Sequence, residues 1–138
     1  MSFAFMRGMA IPIDFAMCVF LWIVQLIIYP SFRHLKRSDF QYWHSKYMKT
    51  IGLLMGPIMI VQIVLISYGA YSEPNNVNLL RLLFLTVCWL LTLVCSIPMH
   101  RKLEQAVLIE DSIERLIRSN WFRTLLWMFI FLLNFLPS

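Results

Sequence analysis

The chain has 138 residues, of which 60% are hydrophobic and only 14% are charged, and its formal net charge is +5. A soluble domain would carry charge on about a quarter of its residues, so this composition does not provide a water-exposed surface. The missing charge is typical of a protein surrounded by lipid. The positive excess does not indicate a nucleic-acid partner, because the basic residues lie between apolar stretches without a nucleic-acid-binding motif.

Four apolar stretches approach the length of about 20 residues that a helix needs to cross a bilayer. They are residues 10–29, 51–70, 79–97 and 121–136. The fourth is short and is expected to span only if helical turns precede it, with Trp121 and Arg123 at headgroup level. The sequence therefore predicts an all-α fold, a single integral membrane domain built as an antiparallel bundle of four transmembrane helices.

Most of the positive charge lies in two of the three links between spans. Ten of the twelve Lys and Arg residues are there: Arg33, Lys36, Arg37, Lys46 and Lys49 in the first link, and Arg101, Lys102, Arg115, Arg118 and Arg123 in the third. Four spans put these two links on one side, and an excess of Lys and Arg marks the cytoplasmic side. We therefore expect an inner-membrane protein with both termini outside the cytoplasm.

Both basic links are expected to be helical extensions of the bundle. Ser38 with Gln41 forms a predicted capping box ahead of an apolar stripe that leads into the second span. Asp111 with Glu114 forms a second predicted helix start, and the pairs Asp111–Arg115 and Glu114–Arg118 have the favourable order of acid before base. Interfacial helices on the cytoplasmic side are therefore predicted.

Polar side chains inside the predicted spans are few. The amides Gln25 and Gln62 are expected to join helices by hydrogen bonds, each contributing roughly 0.6 and at most about 2 kcal/mol. Asp14 and Arg81 lie slightly inside the outer boundary. They either form an ion pair between the first and third helices or extend separately toward the headgroups.

The candidate functional residues lie near the basic side. His44 precedes the second span, His100 follows the third, and Asn120 and Arg123 enter the fourth at the same level. This cluster could hold an anionic or quinone-like headgroup, with His44 or His100 as proton acceptor and Arg123 as anion clamp. The alternative is an interfacial belt, because His, Trp, Tyr and Arg all favour that depth.

No cofactor is identified from the sequence, and no metal site is predicted. The Glu-x-x-His motif of di-iron bundles is absent. A haem held by two histidines would need His44 and His100 to face each other deeper in the bundle than the sequence indicates. Cys18, Cys88 and Cys95 fall inside apolar spans and are expected to behave as small hydrophobic residues.

Short motifs along nearly the whole chain are similar to those of small four-helix bacterial membrane proteins of unknown function. They are Trp22-x-x-Gln25 with Tyr29-Pro30, Tyr42-Trp43-His44, Gly56-Pro57-x-Met59 with Gln62, Ile97-Pro98-x-His100-x-x-Leu103, and Asn120-Trp121-x-Arg123-Thr124. That group loosely resembles the anthrone-oxygenase-like membrane family, whose distant fungal members oxidise polycyclic aromatic compounds. The resemblance implies a four-span bundle with a pattern running through His44, His100, Asn120 and Arg123.

Three functions remain open at this point. The chain binds or oxidises a hydrophobic ligand at the cytoplasmic-side His/Asn/Arg cluster, or it is a non-catalytic accessory subunit of a larger membrane complex. A small transporter or channel is the least favoured, because four helices with no buried charge offer little to which transport could couple. The expected partners are the lipid bilayer and either a larger complex or further copies of the chain.

Overall fold

Four helical rods make up the protein. The computed structural model describes residues 3–105 and 109–136 and contains no strand in these ranges. The rods Gly8–His34, Ser38–Ser72, Asn76–Glu104 and Ile109–Phe135 are long and apolar enough to cross a membrane, and we call them the first to fourth spans. The predicted all-α bundle of four helices is confirmed.

Each span consists of one or more helical elements. They are α1 (Phe3–Ile23), a π-helical segment (Val24–Ile28), α2 (Tyr29–Ser31), a 3₁₀ turn (Phe32–His34), α3 (Arg37–Ser72), α4 (Asn76–Leu91), a second π-helical segment (Thr92–Ser96), α5 (Ile97–Glu104), α6 (Ile109–Leu132) and a final 3₁₀ turn (Leu133–Phe135). Each span packs against its neighbours in sequence, and the first packs against the fourth. The spans thus form a closed ring of antiparallel helices.

The helices continue beyond the predicted spans at the end that carries the first and third links, which we call the basic end. Helix α3 has 36 residues and is about 54 Å long, well above the hydrocarbon thickness of about 30 Å. Helix α6 is already formed at Ile109, so the fourth span begins earlier than the predicted residue 121. The buried side chains of Ile113 and Leu116 explain this earlier start, because they pack these turns against the bundle.

The predicted capping boxes do not form. The Ser38 hydroxyl donates to the Asp39 carboxylate at 3.2 Å, and the Gln41 amide donates to the backbone carbonyl of Glu104 at 3.1 Å. Asp111 lies inside the first turn of α6 instead of preceding it. Gln41 therefore joins the second span to the third at the basic end, and does not cap its own helix.

Of the two predicted ion pairs on α6, only one forms. Arg115 and Asp111 are 2.9 Å apart. Glu114 instead accepts two hydrogen bonds from the guanidinium of Arg33, at 2.7 and 2.8 Å. This two-pronged geometry is the one that Arg and a carboxylate favour. The exposed pair therefore ties the first basic link to the third.

The link between the second and third spans, which we call the outer link, is a tight turn. Helix α3 ends at Ser72 and α4 begins at Asn76. The Asn75 side chain accepts a hydrogen bond from the backbone N–H of Asn78 at 2.9 Å, which caps α4. The Asn78 side chain donates to the carbonyl of Glu73 at 2.9 Å. The second and third spans therefore form a closely connected antiparallel hairpin.

Both π-helical segments end two residues before a proline. Val24–Ile28 precedes Pro30, and Thr92–Ser96 precedes Pro98. Proline cannot donate the usual helical hydrogen bond, and its ring clashes with the carbonyl four residues earlier. A locally widened turn accommodates both effects without ending the helix. The first and third spans therefore stay continuous, whereas Pro57 lies within the uninterrupted helix α3.

A buried polar cluster joins all four spans on the far side of the bundle from the basic end. Asp14 accepts hydrogen bonds from Arg81 at 2.6 Å, Gln62 at 2.8 Å and Asn134 at 2.8 Å. The Asp14 side chain has no exposure to the surroundings of the bundle. We call these four residues the outer polar cluster. Of the two alternatives for Asp14 and Arg81, the structure has the ion pair.

The outer polar cluster is expected to stabilise the fold. Asp14→Asn leaves the buried Arg81 without a carboxylate, so we expect the free energy of unfolding to fall by about 3 kcal/mol. Unfolding by heat or by a denaturing detergent, followed by circular dichroism, measures the change. Glu73→Gln, at an exposed position in the outer link, is the control and should be neutral. Equal stability of the Asp14→Asn and unmutated proteins would contradict this structural role.

Candidate functional site

A cavity of about 180 Å³ lies between all four spans, in the half of the bundle nearer the basic end. Most of its wall is apolar and includes Phe20 and Met55. Its polar lining residues are Tyr29, Tyr47, Thr92, Ser96, His100, Asn120 and Arg123. An apolar cavity with a few convergent polar groups is the usual form of a small-molecule site.

Two glycines of the second span form part of the cavity wall. Gly52 and Gly56 lie one helical turn apart, so they occupy the same side of α3. A Cβ at either position would meet no atom within 4 Å, and Gly52 is exposed on the bundle surface. The cavity therefore reaches the side of the bundle beside Gly52, within a helix long and apolar enough to be in contact with lipid.

Arg123 supplies the positive charge of the cavity. Its Nη1 donates to the Ser96 hydroxyl at 2.8 Å and to the Asn120 side-chain oxygen at 3.2 Å. The guanidinium also lies 5.6 Å from the ring centre of Trp127 and interacts with the Tyr29 hydroxyl. All these partners are neutral, and no carboxylate among the described residues pairs with Arg123. Its charge is therefore buried without compensation.

The amide of Asn120 is held from the first span. Its Nδ2 donates to the Gln25 side-chain oxygen at 2.9 Å, and the Gln25 amide nitrogen donates to the carbonyl of Ile117 at 3.3 Å. Asn120 is fully buried and Gln25 nearly so. These bonds orient the Asn120 oxygen toward Arg123. Gln25 thus performs the expected helix-joining role and also positions a residue of the cavity.

Two buried imidazoles continue from the cavity toward the basic end. The Tyr29 hydroxyl lies 3.1 Å from Nε2 of His100, and Nδ1 of His100 lies 2.9 Å from Nε2 of His44. His44 is fully buried between aromatic rings, among them Phe40, which stacks on it. Nδ1 of His44 is buried and has no hydrogen-bond partner. The three side chains form one hydrogen-bonded chain, which we call the imidazole chain.

The structure brings together the four residues that the sequence singles out. His100, Asn120 and Arg123 line the cavity, and His44 lies directly behind His100. All four are buried inside the bundle, so they do not form a belt of side chains directed at the surrounding headgroups. Arg123 is only 7% exposed, so its side chain points into the bundle instead of extending toward the bundle surface. Helix α6 begins at Ile109 and runs for about 21 Å before it reaches Arg123. The position of Arg123 relative to the headgroups stays a prediction.

The other predicted polar residues lie deeper or play no part in the cavity. Gln62, Asp14 and Arg81 form most of the outer polar cluster. The indole N–H of Trp127 donates to Gln62 at 3.0 Å, so Trp127 contacts both this cluster and Arg123. The third histidine, His34, is exposed.

The argument against a transporter assumed that the spans carry no buried charge. That assumption is wrong, because Asp14, Arg81 and Arg123 are all buried.

Several residues of the site were not identified from the sequence. Tyr29 appeared only within a motif, and Ser96, Trp127 and Gly52 were not assigned a role. One sequence pattern could have pointed to Tyr29 and Ser96. In it, a polar residue comes four positions before an aromatic or imidazole residue, and a proline follows the polar residue within five positions. This pattern occurs as Gln25 with Tyr29 and as Ser96 with His100.

The two histidines contact each other too closely to hold a haem between them. An iron bound to both would keep the nitrogens about 4 Å apart, given metal–nitrogen bonds of about 2 Å. The nitrogens of His44 and His100 are 2.9 Å apart and share a hydrogen bond. In residues 3–105 and 109–136 there is no group of three or more His, Cys, Asp or Glu side chains suited to a metal ion.

Comparison of the chain with models of protein families, with curated proteins and with solved structures gave no match. The resemblance to small bacterial four-helix proteins therefore stays a prediction. The functional argument depends on the geometry of the cavity and its polar groups.

Arg123 is expected to lower the stability of the protein when no anion is bound beside it. A buried charge without a partner is costly, and replacing it by an apolar side chain of similar length removes that cost. We expect Arg123→Met to keep the free energy of unfolding or to raise it by about 1 kcal/mol. Arg81→Met, which leaves the buried Asp14 carboxylate without its cation, should instead destabilise the protein. A loss of stability in Arg123→Met as large as that in Arg81→Met would show that Arg123 is structural.

Proposed function

We propose that this protein binds a lipophilic weak acid in the cavity, with the ligand's anionic head against Arg123 and its apolar part along the cavity wall. The observation that carries the proposal is the buried guanidinium at an apolar cavity without a carboxylate partner. Such a charge costs several kcal/mol in a medium of low polarity. An anionic ligand would offset this cost, and none of the neutral side chains around Arg123 can.

The size of the cavity narrows the class of ligand. A cavity of 150 Å³ lined by apolar side chains holds benzene, and this one measures about 180 Å³. It therefore suits a head of one or two rings that bears an acidic hydroxyl or a carboxylate. A longer apolar tail can leave the cavity beside Gly52 and lie along the bundle surface.

The path beside Gly52 favours entry from the bilayer. Gly52 lies in a span that is long and apolar enough to cross a membrane, and no side chain of its own closes the opening. The neutral form of a weak acid partitions into hydrocarbon, so the bilayer concentrates the ligand at this opening. Oxidation of the bound ligand, which the resemblance suggests, would need an oxidant, and we limit the proposal to binding.

The alternative of an accessory subunit in a larger membrane complex has one feature in its favour. An apolar groove of about 310 Å³ lies between the third and fourth spans, lined by residues that include Leu80, Phe84 and Phe129. A helix of another protein could fill it, and so could lipid chains, which are as apolar as leucine. Extraction in a mild detergent and native sizing distinguish the two, because a subunit would remain in a large assembly.

The proposal also includes the location and orientation of the protein. We infer a bacterial inner membrane with the basic end in the cytoplasm and both termini outside. Arg123 is buried in the bundle, but the other nine basic residues assigned above to the first and third links lie at the basic end, either between the spans or in the helical turns near the span ends. Lys and Arg near span ends mark the cytoplasmic side.

The orientation is tested with reporter fusions. Alkaline phosphatase fused after Ser138, which lies outside the described residues, is expected to be active because that enzyme folds only outside the cytoplasm. The same reporter fused after Gln105, in the third link, is expected to be inactive. The reverse pattern would contradict the proposed orientation and leave the binding proposal untouched.

Binding is tested with 4-nitrophenol, a one-ring weak acid whose phenolate absorbs visible light. The protein, reconstituted in lipid nanodiscs, is equilibrated with the phenol, and the bound phenolate is measured by its absorption. We expect Arg123→Gln to weaken binding about 10- to 100-fold, because a hydrogen bond to a charged group contributes about 1.5–3 kcal/mol. Gly56→Leu should abolish binding, because the leucine side chain would fill the cavity.

Two matched controls accompany the binding test. Arg118→Gln removes an exposed arginine of the same helix, and Gly69→Leu changes a glycine of the same helix as Gly56 outside the cavity. Both should bind as the unmutated protein does. The uncharged ether 4-nitroanisole should bind at least tenfold more weakly than the phenol. Equal binding of the phenol to the Arg123→Gln, Arg118→Gln and unmutated proteins would contradict the proposal.

A further inference from the structure

We infer that the site takes up its ligand as the neutral acid and passes the acidic proton to the basic end through Tyr29, His100 and His44. This inference rests on the proposed function, because it requires a ligand that is anionic when bound beside Arg123. It adds an activity, directed proton transfer, and gives the two buried histidines a role that binding alone does not require.

The hydrogen bonds of the imidazole chain form an unbroken path. The Tyr29 hydroxyl interacts with Arg123 at the cavity and lies 3.1 Å from Nε2 of His100. The other nitrogen of His100 lies 2.9 Å from Nε2 of His44. His100 therefore uses one nitrogen toward the cavity and the other toward His44, whose second nitrogen, Nδ1, has no hydrogen-bond partner. This is the arrangement in which a neutral imidazole can receive a proton on one side and release one on the other.

The chain has two complete hydrogen-bonding patterns that differ by the position of the protons. In the first, Tyr29 donates to His100, His100 donates to His44, and the proton of His44 is on Nδ1. In the second, His44 donates to His100, His100 donates to Tyr29, and the Tyr29 hydroxyl points into the cavity. Every bond of the chain is made in both patterns, so neither leaves a gap along the path.

Conversion of the first pattern into the second moves one proton. The ligand gives its acidic proton to the Tyr29 oxygen, whose own proton passes to Nε2 of His100. The proton on Nδ1 of His100 passes to Nε2 of His44, and the proton on Nδ1 of His44 passes to a water molecule that reaches this atom from the basic end. The ligand becomes the anion that Arg123 stabilises. No electrons are exchanged, and the three side chains end neutral.

The charges around the chain favour this direction. The titratable and charged groups facing the two imidazoles are Tyr29 from the first span, Tyr47 from the second, Glu104 from the third and Arg123 from the fourth. Arg123 lines the cavity beside His100, and Glu104 lies one helical turn beyond His100, toward the basic end. The positive charge is therefore at the end where the proton enters and the negative charge at the end where it leaves. The unpartnered Nδ1 of His44 is the atom from which the proton leaves.

The chain is reset by the reverse transfer. A proton enters at Nδ1 of His44, the protons of both imidazoles shift back, and Tyr29 returns one proton to the anion in the cavity. If the ligand leaves to the bilayer as the neutral acid, the proton travels back along the same path. Net transfer then depends on whether the anion leaves by another route, so the binding step itself is the one to measure.

The inference is tested by following proton release during binding. The protein in nanodiscs is mixed rapidly with 4-nitrophenol in a weakly buffered, mildly acidic solution that contains a pH indicator. Phenolate absorption reports ligand ionisation, and the indicator reports the released proton. We expect His44→Phe to slow both signals at least tenfold while the equilibrium amount of bound phenolate stays within twofold. Phenylalanine preserves the stacking on Phe40, and His44 does not line the cavity.

Two further variants keep the test decisive. His34→Phe replaces an exposed histidine outside the chain and should release protons at the unmutated rate. Tyr29→Phe removes only the hydroxyl and should slow release as His44→Phe does, which provides a second reading if His44→Phe does not fold. Unchanged release rates in the variants that bind phenolate would overturn the relay alone. Absence of phenolate binding to the unmutated protein would instead contradict the proposed function.

Discussion

Inside a bilayer no water is present to solvate a polar group, so every polar side chain of the bundle must find its partner within the protein. The two buried arginines meet this constraint differently. Arg81 is 2.6 Å from the carboxylate of Asp14, and the pair is neutral as a whole. Arg123 has only neutral partners. The same residue type thus serves as a structural element at one level of the bundle and carries an unbalanced charge at another.

Trp127 connects these two levels. Its fully buried indole donates to Gln62, which in turn donates to Asp14, and its ring face is turned toward Arg123. The attraction between a cation and an aromatic face offsets part of the cost of burying Arg123 without adding a negative charge. The polar groups therefore form a continuous set through the bundle, fixed at one end by an ion pair. Arg123 is held in position and keeps its capacity to bind an anion.

The hydropathy of the sequence was sufficient to predict four antiparallel helices, because apolar stretches of bilayer length leave few other folds. His44, His100, Asn120 and Arg123 stood out in the sequence because they lie at the same level, at the basic ends of these stretches. The burial of their side chains could not be read from the sequence. Helix α6 begins twelve residues before Trp121, in a segment whose charged residues lower its hydropathy while Ile113 and Leu116 are buried. A hydropathy average over all faces of a helix does not reveal a narrow buried stripe on one face.

The position of the cavity follows from where the helices depart from regular packing. Two π-helical segments precede Pro30 and Pro98, and each ends in a region whose polar groups face inward. Facing them, the second span presents Gly52 and Gly56, which have no side chains to fill the space. Larger residues at these positions would close the cavity and gain apolar contact. A protein selected for stability alone would benefit from that change, and also from the loss of the charge on Arg123. The open wall and the unbalanced cation lie at the same place, and a ligand with an anionic head and an apolar body accounts for both.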